Sequence, residues 1–150
     1  MGWGGYGLYD GDGTQTRHYS FMEWAKIFTK KELDDIDFDC LKFRKTSIPK
    51  EKRHLLIDNQ ALILKRMPKL TFLKPGAYPQ YGEDDAIDWQ MLLALFVDNK
   101  IKAPKIIIDN GLAATEYLME FHASEFDEPG KRRAALRRFK ARALKNNNKK

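Results

Sequence analysis

The chain is poor in the residue types from which most chemical sites are built. Its single cysteine, Cys40, cannot close an intrachain disulfide, which excludes a secreted disulfide scaffold and makes a reducing, cytoplasmic home the expectation. The three histidines, His18, His54 and His122, are far apart in the chain and have no second histidine or cysteine at the four-residue helical spacing of a metal site. Glu125, three residues beyond His122, reads as its surface partner. No metal and no cofactor are therefore expected. The longest unbroken apolar run, 91–97, is far too short to span a bilayer, and the opening Met-Gly-Trp-Gly-Gly-Tyr has neither the basic stretch nor the apolar core of an export signal. Tyr6 stands where a myristoylation signal has Ser or Thr, and glycine-rich phosphate loops of either standard spacing are missing. The most informative absence is of negative charge: residues 131–150 contain no Asp or Glu.

That same segment holds ten Lys or Arg residues. The whole chain has 27 basic and 21 acidic residues, so 1–130 is left with 17 basic against all 21 acids. With 150 residues, 43% of them hydrophobic, one domain with a sizeable core is expected. The chain should therefore be a mildly acidic body, 1–130, with a basic C-terminal helix and frayed tail, 131–150, docked on the same domain. Clustered positive charge at one pole points to an anionic partner.

The fold class expected is mainly α: a compact helical domain with a glycine-rich N-terminal loop and room for one short edge strand or hairpin. Six glycines among the first thirteen residues, interleaved with Trp3, Tyr6 and Tyr9, predict a strip held to the body by its rings. Thr16 can cap a helix over 16–28, with Tyr19, Met22, Trp24 or Ala25, and Phe28 on its buried face. Thr29 precedes Glu32 by three residues, the spacing of a capping box, so a second helix starts there. Acids alternating with apolar residues over 34–43 fit an edge strand. Pro49 suits the first turn of a helix over 50–67 carrying Leu56 and Ile63; a hairpin pairing 55–57 with 61–64 fits as well, and the two stay open. Residues 84–98 leave so few polar positions that this helix must be central, with Asn99 placed to end it in a left-handed conformation. Pro104 opens a further helix in which Gly111 is a kink point. Asp127, Glu128 and Pro129 open the last helix, which runs to about Leu144 before Asn146, Asn147 and Asn148 fray it.

On that last helix Ala135, Leu136, Phe139 and Ala143 fall within a third of the circumference and form a seam for docking. Arg138, Arg142 and Lys145 project opposite to it, Arg133, Arg137 and Lys140 flank it, and these six are the candidate nucleic-acid contacts. Cations in such a row grip phosphates with strong salt dependence and little sequence preference, and arginine adds bidentate geometry. A solvated, solubilising face is the plainer alternative. A third use is docking on an acidic protein surface, as an inhibitor, immunity or anti-defence factor would, with Phe72, Tyr78 and Tyr81 in the loop 72–82 as a partner-binding loop. The stretch 92–118 also has the outline of a helix-turn-helix with Lys100, Lys102 and Lys105 at its turn, though its second helix offers few side chains able to read bases.

Two short strings carry resemblances. Asp10-Gly11-Asp12-Gly13-Thr14 resembles the Asp-x-Asp-Gly-Thr motif of haloacid-dehalogenase-like phosphatases, which implies Asp10 as nucleophile and Asp12 as proton carrier beside magnesium. A turn rich in Asp and Gly is the better explanation of the same five residues, because the chain lacks the strand and helix alternation of a parallel sheet. The opening, with Gly2, Trp3, Gly5, Gly7, Tyr9, Asp10 and Asp12, is similar to small uncharacterised bacterial proteins beginning Met-Gly-x-Trp-Gly-x-Gly-x-Phe-Asp-x-Asp. The resemblance implies a bacterial or phage origin and a cytoplasmic accessory role, with no activity to carry over.

Overall fold

A 20-residue helix runs through the middle of the computed structural model, which describes residues 5–11, 13–35, 47–69 and 79–148. The helices are α1 (Thr14–Trp24), α2 (Lys30–Asp35), α3 (His54–Asp58), α4 (Gln60–Leu64), α5 (Pro79–Asp98), α6 (Lys105–Tyr117) and α7 (Pro129–Asn147). The mainly helical class is as expected, and there is no β-strand among the described residues. No helix of the described residues is long and apolar enough to cross a membrane.

The composition of α5 dictates its place. Ala86, Ile87, Trp89 and every residue from 91 to 97 are buried, so other helices must surround it. Its main neighbour is α6, which returns beside it after the connection 99–104. The split expected at Gly111 does not occur, since α6 runs unbroken through it; the glycine is instead a point of close approach to α5. A Cβ added there would lie 2.5 Å from Leu93 Cβ, so only glycine lets the two backbones come this near. Beside that crossing, Gln90 Nε2 donates to Thr115 Oγ1 at 3.2 Å, and Thr115 Oγ1 donates to the Gly111 carbonyl at 2.8 Å. The buried amide is thus satisfied on its donor side within the helix pair.

Two helices stop on the same device, and in both a lysine takes the position that glycine usually fills. Lys26 (φ 61°) and Lys100 (φ 56°) are left-handed, and their N–H groups bond to Glu23 and Val97 while Ile27 and Ile101 bond to Met22 and Phe96. The left-handed residue after α5 is therefore Lys100 and not Asn99. Asn99 is buried instead, because its amide has structural partners: Nδ2 donates to Leu95 and Oδ1 accepts the Ile48 N–H at 2.7 Å. That second bond fastens the segment 47–49 across the end of the central helix.

The capping box forms as spaced: Glu32 Oε1 accepts the Thr29 N–H at 2.9 Å and Thr29 Oγ1 accepts the Glu32 N–H at 3.1 Å. The Thr29 backbone N–H, then the Thr29 hydroxyl, hold the exposed Glu32 carboxyl below its usual range. The start of the proposed edge strand is instead helical, since α2 extends to Asp35; 36–43 lie outside the described residues. Between 50 and 67 the chain is neither one helix nor a hairpin. A 3-10 turn (Lys50–Lys52) leads into α3, and Asn59 separates α3 from α4 because its Nδ2 reaches out to the Ala25 carbonyl at 2.8 Å. The helix α1 starts at Thr14 behind a left-handed Gly13, two residues earlier than Thr16 would place it. It buries His18, Phe21, Met22 and Ala25, while Tyr19, Trp24 and Phe28 are only partly covered.

Candidate nucleic-acid interface

The last helix begins where the sequence places it, with Glu128 before it and Pro129 in its first turn. Ala135, Leu136, Phe139 and Ala143 are buried, and the seam is longer than the apolar residues alone mark out. Arg132 and Asn146 extend it at either end. Neither was expected inside: Arg132 counted as one more cation and Asn146 as part of a frayed end.

Arg132 has no exposed surface. Its Nη1 donates to the Gly7 carbonyl at 3.1 Å, and the guanidinium lies 5.4 Å from the centre of the Phe126 ring. Burial lowers it to about 10, against the carboxylates of Asp10 and Glu83, which favour its charge. It remains an arginine cation at neutral pH and works as a bolt holding the glycine-rich strip to the first turn of α7. Asp10 tightens the same strip, its Oδ2 accepting the Gly7 N–H at 2.8 Å. The Tyr6 hydroxyl adds a bond to Glu128 Oε2 at 3.0 Å. Asp10 thus stands in a turn, and Asp12 lies outside the described residues. At the far end of α7, Asn146 Nδ2 donates to the Ile101 carbonyl at 2.9 Å, which brings the helix end to the turn carrying exposed Lys100 and Lys102.

The six predicted contact residues divide into two groups. Three are engaged by the body. Arg133 Nε donates to the Met119 carbonyl at 3.0 Å, Lys140 pairs with Glu116 of α6, and Arg142 Nη1 lies 3.3 Å from Asp98 Oδ1. Asp98 is 1% exposed and also receives the Tyr9 hydroxyl, whereas the Arg142 side chain keeps 44% of its surface in solvent. The other three, Arg137, Arg138 and Lys145, are exposed and form no ion pair with a described residue. Arg138, Arg142 and Lys145 follow one another along a single edge, spanning about 10 Å at 1.5 Å per residue.

The other predicted positions fall elsewhere. Phe72 and Tyr78 lie outside the described residues, as does the side chain of Tyr81. Around the 99–104 turn, Lys100 and Lys102 are exposed, but Lys105 is paired with Asp109 at 2.8 Å. The outer face of α6 also carries Glu116, so a helix reading bases in a phosphate-lined groove would here meet repulsion.

A second group of side chains comes together without any local spacing to announce it. After α6 the helix widens into a π turn (Leu118–His122) and closes with a 3-10 turn (Ala123–Glu125). This geometry carries His122 inward, and its Nε2 lies 3.0 Å from Glu83 Oε1 at the start of α5. Glu125 joins Glu83, so His122, itself buried, has a half-buried acid partner from 39 residues away in the chain and not the simple surface pair expected. Burial, then the nearby Arg132 cation, pull His122 down to about 4, which leaves the imidazole neutral at pH 7. Burial, then Glu125, push the Glu83 carboxyl above its usual range.

No protein-family model, curated protein or solved structure matches the chain.

Proposed function

We propose that this protein is a small, non-enzymatic, cytoplasmic binding protein that contacts nucleic acid through the exposed cations of α7, with little sequence specificity. The observation that carries the proposal is the state of Arg137, Arg138 and Lys145. They stay in solvent although the body has acids enough to pair them, as it does Lys140 and Arg142. Phosphates neutralised by such cations release counterions, so affinity falls steeply with salt, and no base edge need be read. Lys100 and Lys102 add exposed positive charge at the turn to which the Asn146 bond ties the end of α7.

The test is fluorescence anisotropy with mixed-sequence duplex and single-stranded oligonucleotides across a salt series. Three phosphate contacts on duplex DNA predict a slope of log affinity against log salt of about −2.7, or about a 40-fold loss between 50 and 200 mM. Changing Arg137, Arg138 and Lys145 to Glu should abolish binding while leaving thermal melting nearly unchanged, because none of the three holds the fold together. Binding that survives the triple reversal, or none at all at 50 mM salt, would refute the proposal.

A further inference from the structure

We propose that Glu83, His122 and Glu125 form a divalent-cation site suited to zinc. One ligand atom from each of the three side chains lies within 4.8 Å of the others. Two sides of the cluster come from different elements, Glu83 from the first turns of α5 and the other pair from the turns that follow α6. The recess they line with Tyr117 and Phe121 is about 10 Å³, room for one ion or one water.

The chemistry of the set selects the metal. An imidazole with two carboxylates is a zinc-type donor set, three protein ligands with a fourth position open to water. Calcium takes six or more oxygens and magnesium keeps a near-octahedral oxygen shell, and neither favours a nitrogen ligand. Two carboxylates offset the double charge of the ion, and the Arg132 cation, which lies beside Glu83, is itself offset by Asp10 and bonded to the Gly7 carbonyl. The His122 nitrogen that meets Glu83 is Nε2, so an ion bound between them takes the place of that contact. The π turn supplies an independent observation. Such single π turns inside helices are frequent at functional sites, and here it is the turn that carries His122 to Glu83.

The experiment is a zinc titration of chelator-treated full-length protein against a chromophoric competitor at pH 7.5, with magnesium as the control ion. The expected result is one zinc per chain with a Kd of about 1 µM or tighter, no response to magnesium, and a melting temperature that rises with zinc. Glu125→Gln and Glu83→Gln should each weaken zinc at least about tenfold. Glu125 is exposed, so its variant keeps the fold even where a change at buried His122 would not. Zinc that fails to bind at about 100 µM, or that binds both Gln variants as tightly as the parent chain, overturns the assignment. Nucleic acid plays no part in this titration, so its outcome is separate from that of the α7 test.

Discussion

His18 should make the fold sensitive to mild acid, by an amount that can be worked from its surroundings. The imidazole is completely buried on α1, its Nε2 donates to the Met91 carbonyl at 2.8 Å, and the Tyr9 ring meets it edge-on at 5.5 Å. The Met91 bond favours the charged form, but burial dominates and lowers the group to about 4. In the unfolded chain a histidine titrates near 6.5. Between those two values the unfolded state binds more protons than the folded state, so stability is intact above about pH 6.5 and drains as pH falls toward 4. At 1.36 kcal/mol per unit, the full loss is about 3.4 kcal/mol, and at pH 5 it is about 2 kcal/mol. For a domain of ordinary stability that is a substantial share. Urea denaturation at pH 7.5 and pH 5 would measure it, comparing the parent chain with His18→Gln, whose amide can still donate to Met91. The parent should lose about 2 kcal/mol more than the variant on acidification. His122 shifts in the same direction but is present in both proteins, so it cancels from the comparison. Equal losses in the two proteins would show that His18 either charges inside the fold without cost or is not buried, and the reasoning would fail.

Two further changes probe the packing that holds the candidate surface. Gly111→Ala should destabilise the chain by about 1–3 kcal/mol in thermal or urea unfolding despite alanine's better helix propensity, because the new methyl collides with Leu93; Gly130→Ala, with nothing within 4 Å of the added carbon, should be stabilising or neutral. Arg132→Met should cost about 3 kcal/mol or more, since it removes the donor to Gly7 and the cation beside Asp10 and Glu83. Limited proteolysis should then cut first within 5–11, and an uncut strip would mean that other contacts hold it.

Sequence patterns located the elements whose signals are local. The unbroken apolar stretch of α5, the proline at the head of α7 and the Thr29 to Glu32 spacing each specify their structure within a few residues, and the structure has all three. What escaped was set by distant partners. His18 lies three and four residues before Phe21 and Met22, so the period was there to see, but polarity argued against it. The same is true of Arg132 and Asn146, which share the arc of Leu136, Phe139 and Ala143; a helix wheel places both on the seam. Their burial depends on carbonyls at Gly7 and Ile101, more than a hundred and some forty residues away, and no local spacing encodes those acceptors. Glu83 and His122 are related in the same way, which is why a search for ligands at helical spacing passed over them.

The two buried polar residues also bear on what the basic helix can do. A cationic tail that is free in solution must be ordered when it meets a polyanion, and that entropy is subtracted from its affinity. Here Arg132 fixes the first turn of α7 to the N-terminal strip and Asn146 fixes the last turn to the end of α5, with the apolar seam between them. The engaged cations reinforce the rotation about the helix axis: Arg133 and Lys140 tie one flank to the end of α6, and Arg142 ties the other to Asp98. Arg137, Arg138 and Lys145 are consequently held out to solvent by the positions of their neighbours and not by their own contacts. The anchoring at both ends and on both flanks is what the proposed phosphate-binding face would need in order to bind without first being ordered.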